Sequence, residues 1–219
     1  MSFGVTITGQ HGFTQIDSNF KNLAFRQKGT LGFDANHEAS FTWAGGATPL
    51  VCWRSSIPVA LLRVDVSGST FVYTFRKPAG SVGTVEYFLF DTATPPSTSF
   101  GLAIYDGAGN VVFNGDLRFP KIVGLYQVPN AGSGNLSVIL PSGNYAGCLS
   151  MPRMGQGGVQ IQPDIFQHMI GLDTVTVTST SADVAFDQSL IQLGAAGGFT
   201  YGIRQNIGGQ LLVVDVTGL

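Results

Sequence analysis

The chain has 219 residues, 44% of them hydrophobic and 11% charged, with a formal net charge of −2 at pH 7. That length holds one large or two small domains with a real core. A near-neutral balance without a basic run leaves no electrostatic footprint for nucleic acid. Glycine contributes 30 residues, whereas Glu stands only at positions 38 and 86 and Lys only at 21, 28, 77 and 121. Scarce helix-favouring surface residues and plentiful turn formers predict an all-β protein with long loops.

In chain order, Gly4 to Thr8 and Phe13 to Ile16 read as short strands, and Leu23 to Lys28 alternates as a third. Ser40 to Trp43 and Leu50 to Trp53 are two short apolar pieces around the loop Ala44-Gly-Gly-Ala-Thr-Pro49. Leu61 to Val66 and Thr70 to Phe75 form a hairpin joined through Ser67-Gly-Ser69. Val85 to Phe90 is apolar enough to be buried on both faces. Phe100 to Phe113 reads as a hairpin closed by Asp106-Gly-Ala-Gly-Asn110, since Gly supplies positive φ and Asp and Asn tolerate it.

A strand from about Ile122 to Gln127 precedes a Pro/Gly/Ser loop at Pro129 to Asn135. Leu136 to Leu140 and Tyr145 to Leu149 are expected to pair around Pro141-Ser-Gly-Asn144. Met151 to Gly158 reads as a loop. In Gln162 to Leu172 the spacing of Ile165, Met169 and Leu172, with Pro163 near the start, predicts the chain's one short helix, with short strands as the alternative. Thr174 to Thr178, Asp183 to Phe186, Phe199 to Arg204 and Leu211 to Val216 return to β. The expected architecture is one or more antiparallel β-sandwiches of many short strands, at most one short helix among them. Residues 1–128 form the first β-sandwich domain. Residues 129–219 are either a second small domain or the completion of the same sandwich.

Catalytic constellations are scarce. His11, His37 and His168 lie in no zinc spacing and read as solvated loop residues, and no cofactor or metal site is expected. Asp106 to Asn110 resembles a calcium loop but lacks its distal acid, so turn chemistry accounts for it. Asp164, Asp173, Asp183 and Asp187 are the residues from which a glycosidase carboxylate pair would be drawn, yet each stands beside a turn or strand end. Cys52 and Cys148 read as two buried free thiols. Trp43, Pro49 and Trp53, the shoulders of the 44–49 loop, are candidate partner contacts, set against the core role usual for Trp.

Two segments resemble the small tail-tip or baseplate proteins of long-tailed bacteriophages. The first is Gly12-Phe-Thr-Gln-Ile-Asp-Ser-Asn-Phe-Lys-Asn-Leu23, followed by Ala24 to Gly29; the second is Phe100 to Phe113, followed by Gly115-Asp-Leu-Arg118. The resemblance covers about the first 125 residues. It implies a structural virion component of the tail tip with no catalytic residues, a homo-oligomer whose expected partners are other tail or baseplate proteins and a host-surface receptor. It also implies synthesis in the host cytoplasm, which fits an N-terminus without signal-peptide features and the lack of an apolar run for membrane insertion. A carbohydrate- or pilus-binding adhesion module is the alternative, and a β-sandwich glycan hydrolase the next.

Overall fold

The computed structural model describes residues 6–8, 14–17, 23–92, 102–130, 134–162, 165–197, 202–205 and 208–219. The strands are β1 (Thr6–Thr8), β2 (Thr14–Asp17), β3 (Ala24–Gly32), β4 (Glu38–Trp43), β5 (Leu50–Ser67) and β6 (Thr70–Arg76). They continue with β7 (Thr84–Asp91), β8 (Ala103–Tyr105), β9 (Val111–Asn114), β10 (Lys121–Gln127), β11 (Leu136–Ile139) and β12 (Tyr145–Leu149). The last are β13 (Met154–Gln162), β14 (Ile165–Val177), β15 (Ser181–Gly197), β16 (Gly202–Gln205) and β17 (Gln210–Asp215). No helix occurs among the described residues, and every pairing is antiparallel.

Thirteen strands share one hydrogen-bonded network that curls into a nearly closed barrel. Its path runs β10–β17–β12–β5–β14–β13–β16, with β3–β7 and β4–β6 branching from β5 and β15–β11 from β14. The hairpins β1–β2 and β8–β9 stand apart. Strands of 1–128 and 129–219 pair directly, β10 with β17 and β5 with β12 and β14.

The branching depends on β5, which the sequence divides into two strands but the fold keeps as one of 18 residues. Its first part pairs with β7 from Leu50 to Arg54, its middle with β14 at Ser55 and Val59, and its last part with β6 from Ala60 to Ser67. Pro58, which has no N–H to give a ladder, lies where the partners change.

Alternation gives the β5–β7 region two apolar faces. Val51, Trp53, Tyr87 and Leu89 enter the main core, whereas Cys52, Phe88 and Phe90 enter a second cluster with Ala146, Val214 and Val216. Burial on both faces, expected for 85–90, follows from this arrangement. In the main core Phe41 of β4 stacks on Tyr87 of β7 at 3.7 Å between centroids, and Trp53 meets Phe75 edge-on at 5.5 Å. Each such pair contributes about 0.5–1.5 kcal/mol beyond its buried area.

The expected hairpin 136–149 does not form. Leu140 N–H donates to the Thr180 carbonyl (2.8 Å) and Gly143 N–H to that of Ser179 (2.9 Å), so the connection leans on the β14–β15 turn. β11 then pairs with β15, and β12 with β17 and β5. The expected helix at 162–172 is replaced by β13 and β14, and strand also begins at Met154, inside the expected loop. The β14–β15 register slips between Gln167 and Met169 and again between Ile170 and Leu172. Each slip breaks the two-residue alternation, and the interrupted pattern mimics helical spacing.

Tyr73 gives the core a measurable pH dependence. Burial first, then the Asp91 carboxylate and Cys148, push its phenol up to about 12 from an ordinary 10.0; burial also raises Tyr87, against the lowering effect of its hydrogen bond from Gln27. A folded-state value above the unfolded one means this contribution is complete below pH 10 and is lost as pH rises toward 12. Chemical denaturation across that window is expected to show Tyr73→Phe losing roughly 2 kcal/mol less than the parent chain. Equal losses would show that Tyr73 is not the group responsible.

Candidate assembly surface

The loop 44–49 is held from beneath. Asp91, the last residue of β7, is fully buried, and its carboxylate accepts the indole Nε1–H of Trp43 at 2.7 Å, the Thr48 N–H at 2.9 Å and the Ala47 N–H at 3.1 Å. Gly46 N–H donates to the Ser69 carbonyl at 2.9 Å. A Cβ at Gly46 would lie 2.7 Å from Phe71 and 2.8 Å from Trp43, so only glycine lets the loop lie against both rings. Trp43 is half-buried, tied to the loop's floor, and Pro49 is half-buried at the loop's end. Trp53 is 1% exposed and packs in the core. Of the loop itself, Ala44, Gly45, Ala47 and Thr48 are exposed.

A more apolar surface lies on β10, which the sequence marks only as a strand. Within the network β10 ends the path and pairs only with β17, so its outer edge carries backbone groups without a ladder partner among the described residues. Ile122, Val123 and Leu125 are 68%, 40% and 56% exposed there. The bulge between Ile122 and Gly124 shifts the alternation, so Ile122 (opposite Val214) and Leu125 (opposite Leu212) share one face of the sheet and Tyr126 (opposite Leu211) takes the other. Tyr126 packs against the main core, while Ile122 and Leu125 are left outward. A long, apolar, unpaired edge is the backbone arrangement that accepts another strand.

A small polar cleft of about 290 Å³ opens between Arg54, Thr84, Glu86, Asn144, Thr178 and Ser179. Arg54 Nε lies 2.6 Å from Glu86 Oε2, and its Nη1 is 3.4 Å from Asn144 Oδ1. Guanidinium, carboxylate and hydroxyl groups there suit a small polar ligand, but no aromatic ring lines the cleft.

Several of the remaining sequence candidates have structural partners. Asp106 Oδ1 accepts the N–H groups of Ala108 (2.9 Å) and Asn110 (2.8 Å), Oδ2 accepts Asn110 Nδ2–H (2.9 Å), and Gly109 takes φ 83°. This is the turn that the sequence predicts between β8 and β9. Asp173 is fully buried in an ion pair with Arg153. Asp183 accepts hydrogen bonds from Ser137 and Ser181. Asp187 lies opposite Leu172 in the β14–β15 ladder, and Asp164 lies outside the described residues.

His37 occupies a tight turn at φ 65°, with Nδ1 3.5 Å from Lys77 Nζ. His168 is in β14, and His11 lies outside the described residues. Among the described residues no three His, Cys, Asp or Glu side chains gather as metal ligands, and no helix is long and apolar enough to cross a membrane. Compared with known proteins, the chain matches no family model, no curated protein and no solved structure.

Proposed function

We propose that the chain is a structural assembly protein, a component of a bacteriophage tail tip or baseplate that acts by burying surface against neighbouring subunits. The observation that carries this reading is the apolar edge of β10, with Ile122, Val123 and Leu125 exposed beside backbone groups that have no ladder partner among the described residues. The two segments resembling tail-tip proteins and the low charge support it, since weak self-repulsion favours close packing between copies. The finer architecture follows the same reading: the β4–β6 branch facing the β3–β7 branch across the Phe41–Tyr87 stack forms a sandwich within the larger β body. Mass spectrometry of purified phage particles should find the polypeptide as a stoichiometric component; particles that lack it would overturn the assignment.

The β10 edge makes a separate prediction. Ile122→Lys with Leu125→Lys is expected to leave far-UV circular dichroism and stability nearly unchanged, because exposed substitutions usually stay within about 0.5 kcal/mol. The same double variant should lower the mass measured by light scattering after size exclusion. An unchanged oligomer would move the assembly surface elsewhere.

The polar cleft favours one second reading, a carbohydrate-binding adhesion module. Glycan-array binding that disappears in Arg54→Ala would support it, and a blank array for the intact oligomer would remove it.

A further inference from the structure

The sequence places Cys52 and Cys148 about a hundred residues apart, but the sheet brings them together. Trp53 of β5 lies opposite Gly147 of β12 in antiparallel register. One residue along that course, Cys52 faces Cys148. Both belong to the second apolar cluster, Cys52 in its buried part and Cys148 packed against it, so both side chains leave the same face of the sheet. Directly opposed residues of antiparallel strands have Cα atoms roughly 4.5–5.5 Å apart. A disulfide spans Cα separations of about 4.4–6.8 Å. Both thiols are free in this structure.

We propose that Cys52 and Cys148 are a redox-modification site, at which a low-molecular-weight disulfide of the glutathione class oxidises the pair to an intramolecular disulfide stapling β5 to β12. The two thiols have different parts in the exchange. Cys148 is partly exposed, whereas Cys52 is fully buried, so the reagent meets Cys148 first. The neighbouring Cys52 thiol holds Cys148 below the ordinary thiol range, while the Cys148 sulfur and burial raise Cys52 well above it. A lowered value in an accessible thiol favours the attacking thiolate.

The Cys148 thiolate attacks one sulfur of the reagent, its S–S bond breaks, and one small thiolate departs and takes up a proton. Cys52 then loses its proton and attacks Cys148 Sγ in the mixed disulfide, releasing the second small thiol. Two protein thiols are oxidised and one reagent disulfide is reduced. The staple would fall on a thin seam, because β5 and β12 share the single register pair Trp53–Gly147, whereas β12 and β17 share five.

The test uses the full chain, reduced, desalted and incubated with glutathione disulfide, then quenched by alkylation. Intact mass should fall by two hydrogens, and a non-reducing peptide map should link the Cys52 and Cys148 peptides. The thermal midpoint should rise by on the order of 5 °C or more, because the bridge closes a long loop. Cys52→Ser should stop at a glutathione adduct on Cys148, and Cys148→Ser should leave Cys52 unmodified over the same period. The map of the parent chain decides the matter even if a variant folds poorly. Both thiols remaining alkylatable in the native chain, while reacting in urea, or a link formed only between chains, would overturn the proposal.

Discussion

Asp173→Ala is expected to destabilise the chain by about 3–5 kcal/mol, because it leaves a buried guanidinium without its counter-ion. Arg153 is 1% exposed, and its Nε lies 2.8 Å from Asp173 Oδ1 and 3.1 Å from Oδ2. Nη2 is also 2.7 Å from Oδ1, off the hydrogen-bond direction, while Nη1 donates to the Gly134 carbonyl at 2.8 Å. The backbone reinforces the pair: Arg153 N–H donates to Asp173 Oδ2 at 2.7 Å, and Asp173 N–H donates to the Arg153 carbonyl at 3.2 Å. The guanidinium also faces the Phe186 ring at 5.8 Å.

The pair therefore fastens the segment entering β13 onto β14. Its net value is set by two opposed quantities, the cost of taking both charges out of water and their attraction once inside. Removing one partner retains the first and abolishes the second. Arg153→Met combined with Asp173→Leu removes both and should recover most of the loss. Denaturant midpoints of the two single variants and the double variant measure this coupling directly. A double variant as unstable as Asp173→Ala would place the cost in packing or backbone bonds instead of in the stranded charge.

Asp91→Ala is expected to cost about 3 kcal/mol, since Trp43 Nε1–H and the N–H groups of Ala47 and Thr48 lose a buried acceptor group. Trp43 Nε1–H, half-buried, has the least access to replacement water, whereas the N–H groups of Ala47 and Thr48 belong to exposed residues. The loss should thus fall short of three full desolvation penalties. Asp91→Asn keeps one acceptor oxygen and should lose less than the alanine variant. Hydrogen exchange provides the local readout: the amides of Ala47 and Thr48 should lose protection in Asp91→Ala while those of β6 keep theirs. Unchanged protection at 47 and 48 would mean that the Gly46–Ser69 bond alone holds the loop.

Much of the β organisation was legible because its signals are local. Ser67-Gly-Ser69 lies between two β-branched and aromatic runs, and Gly68 takes φ 59° where the sequence expects a reversal. Asp106 to Asn110 closes its hairpin with its own side chains. The Asp91 anchor carried no such signal, because its donors lie more than forty residues upstream. The Trp43 shoulder of the loop was visible, but its binding to that carboxylate was not.

The sequence by itself determined an all-β chain, most strand positions and the turns whose φ angles require glycine, because those features depend on neighbours within a few residues. Only the tertiary structure decided that β5 is continuous through Pro58, that β11 and β12 part company, and that the 162–172 region is strand. It alone placed Cys148 opposite Cys52, Arg153 on Asp173 and β10 at an open edge. The reason is that strand pairing draws its energy from contacts distant in sequence, where periodicity shows which residues can face a core but not which strand will lie beside them.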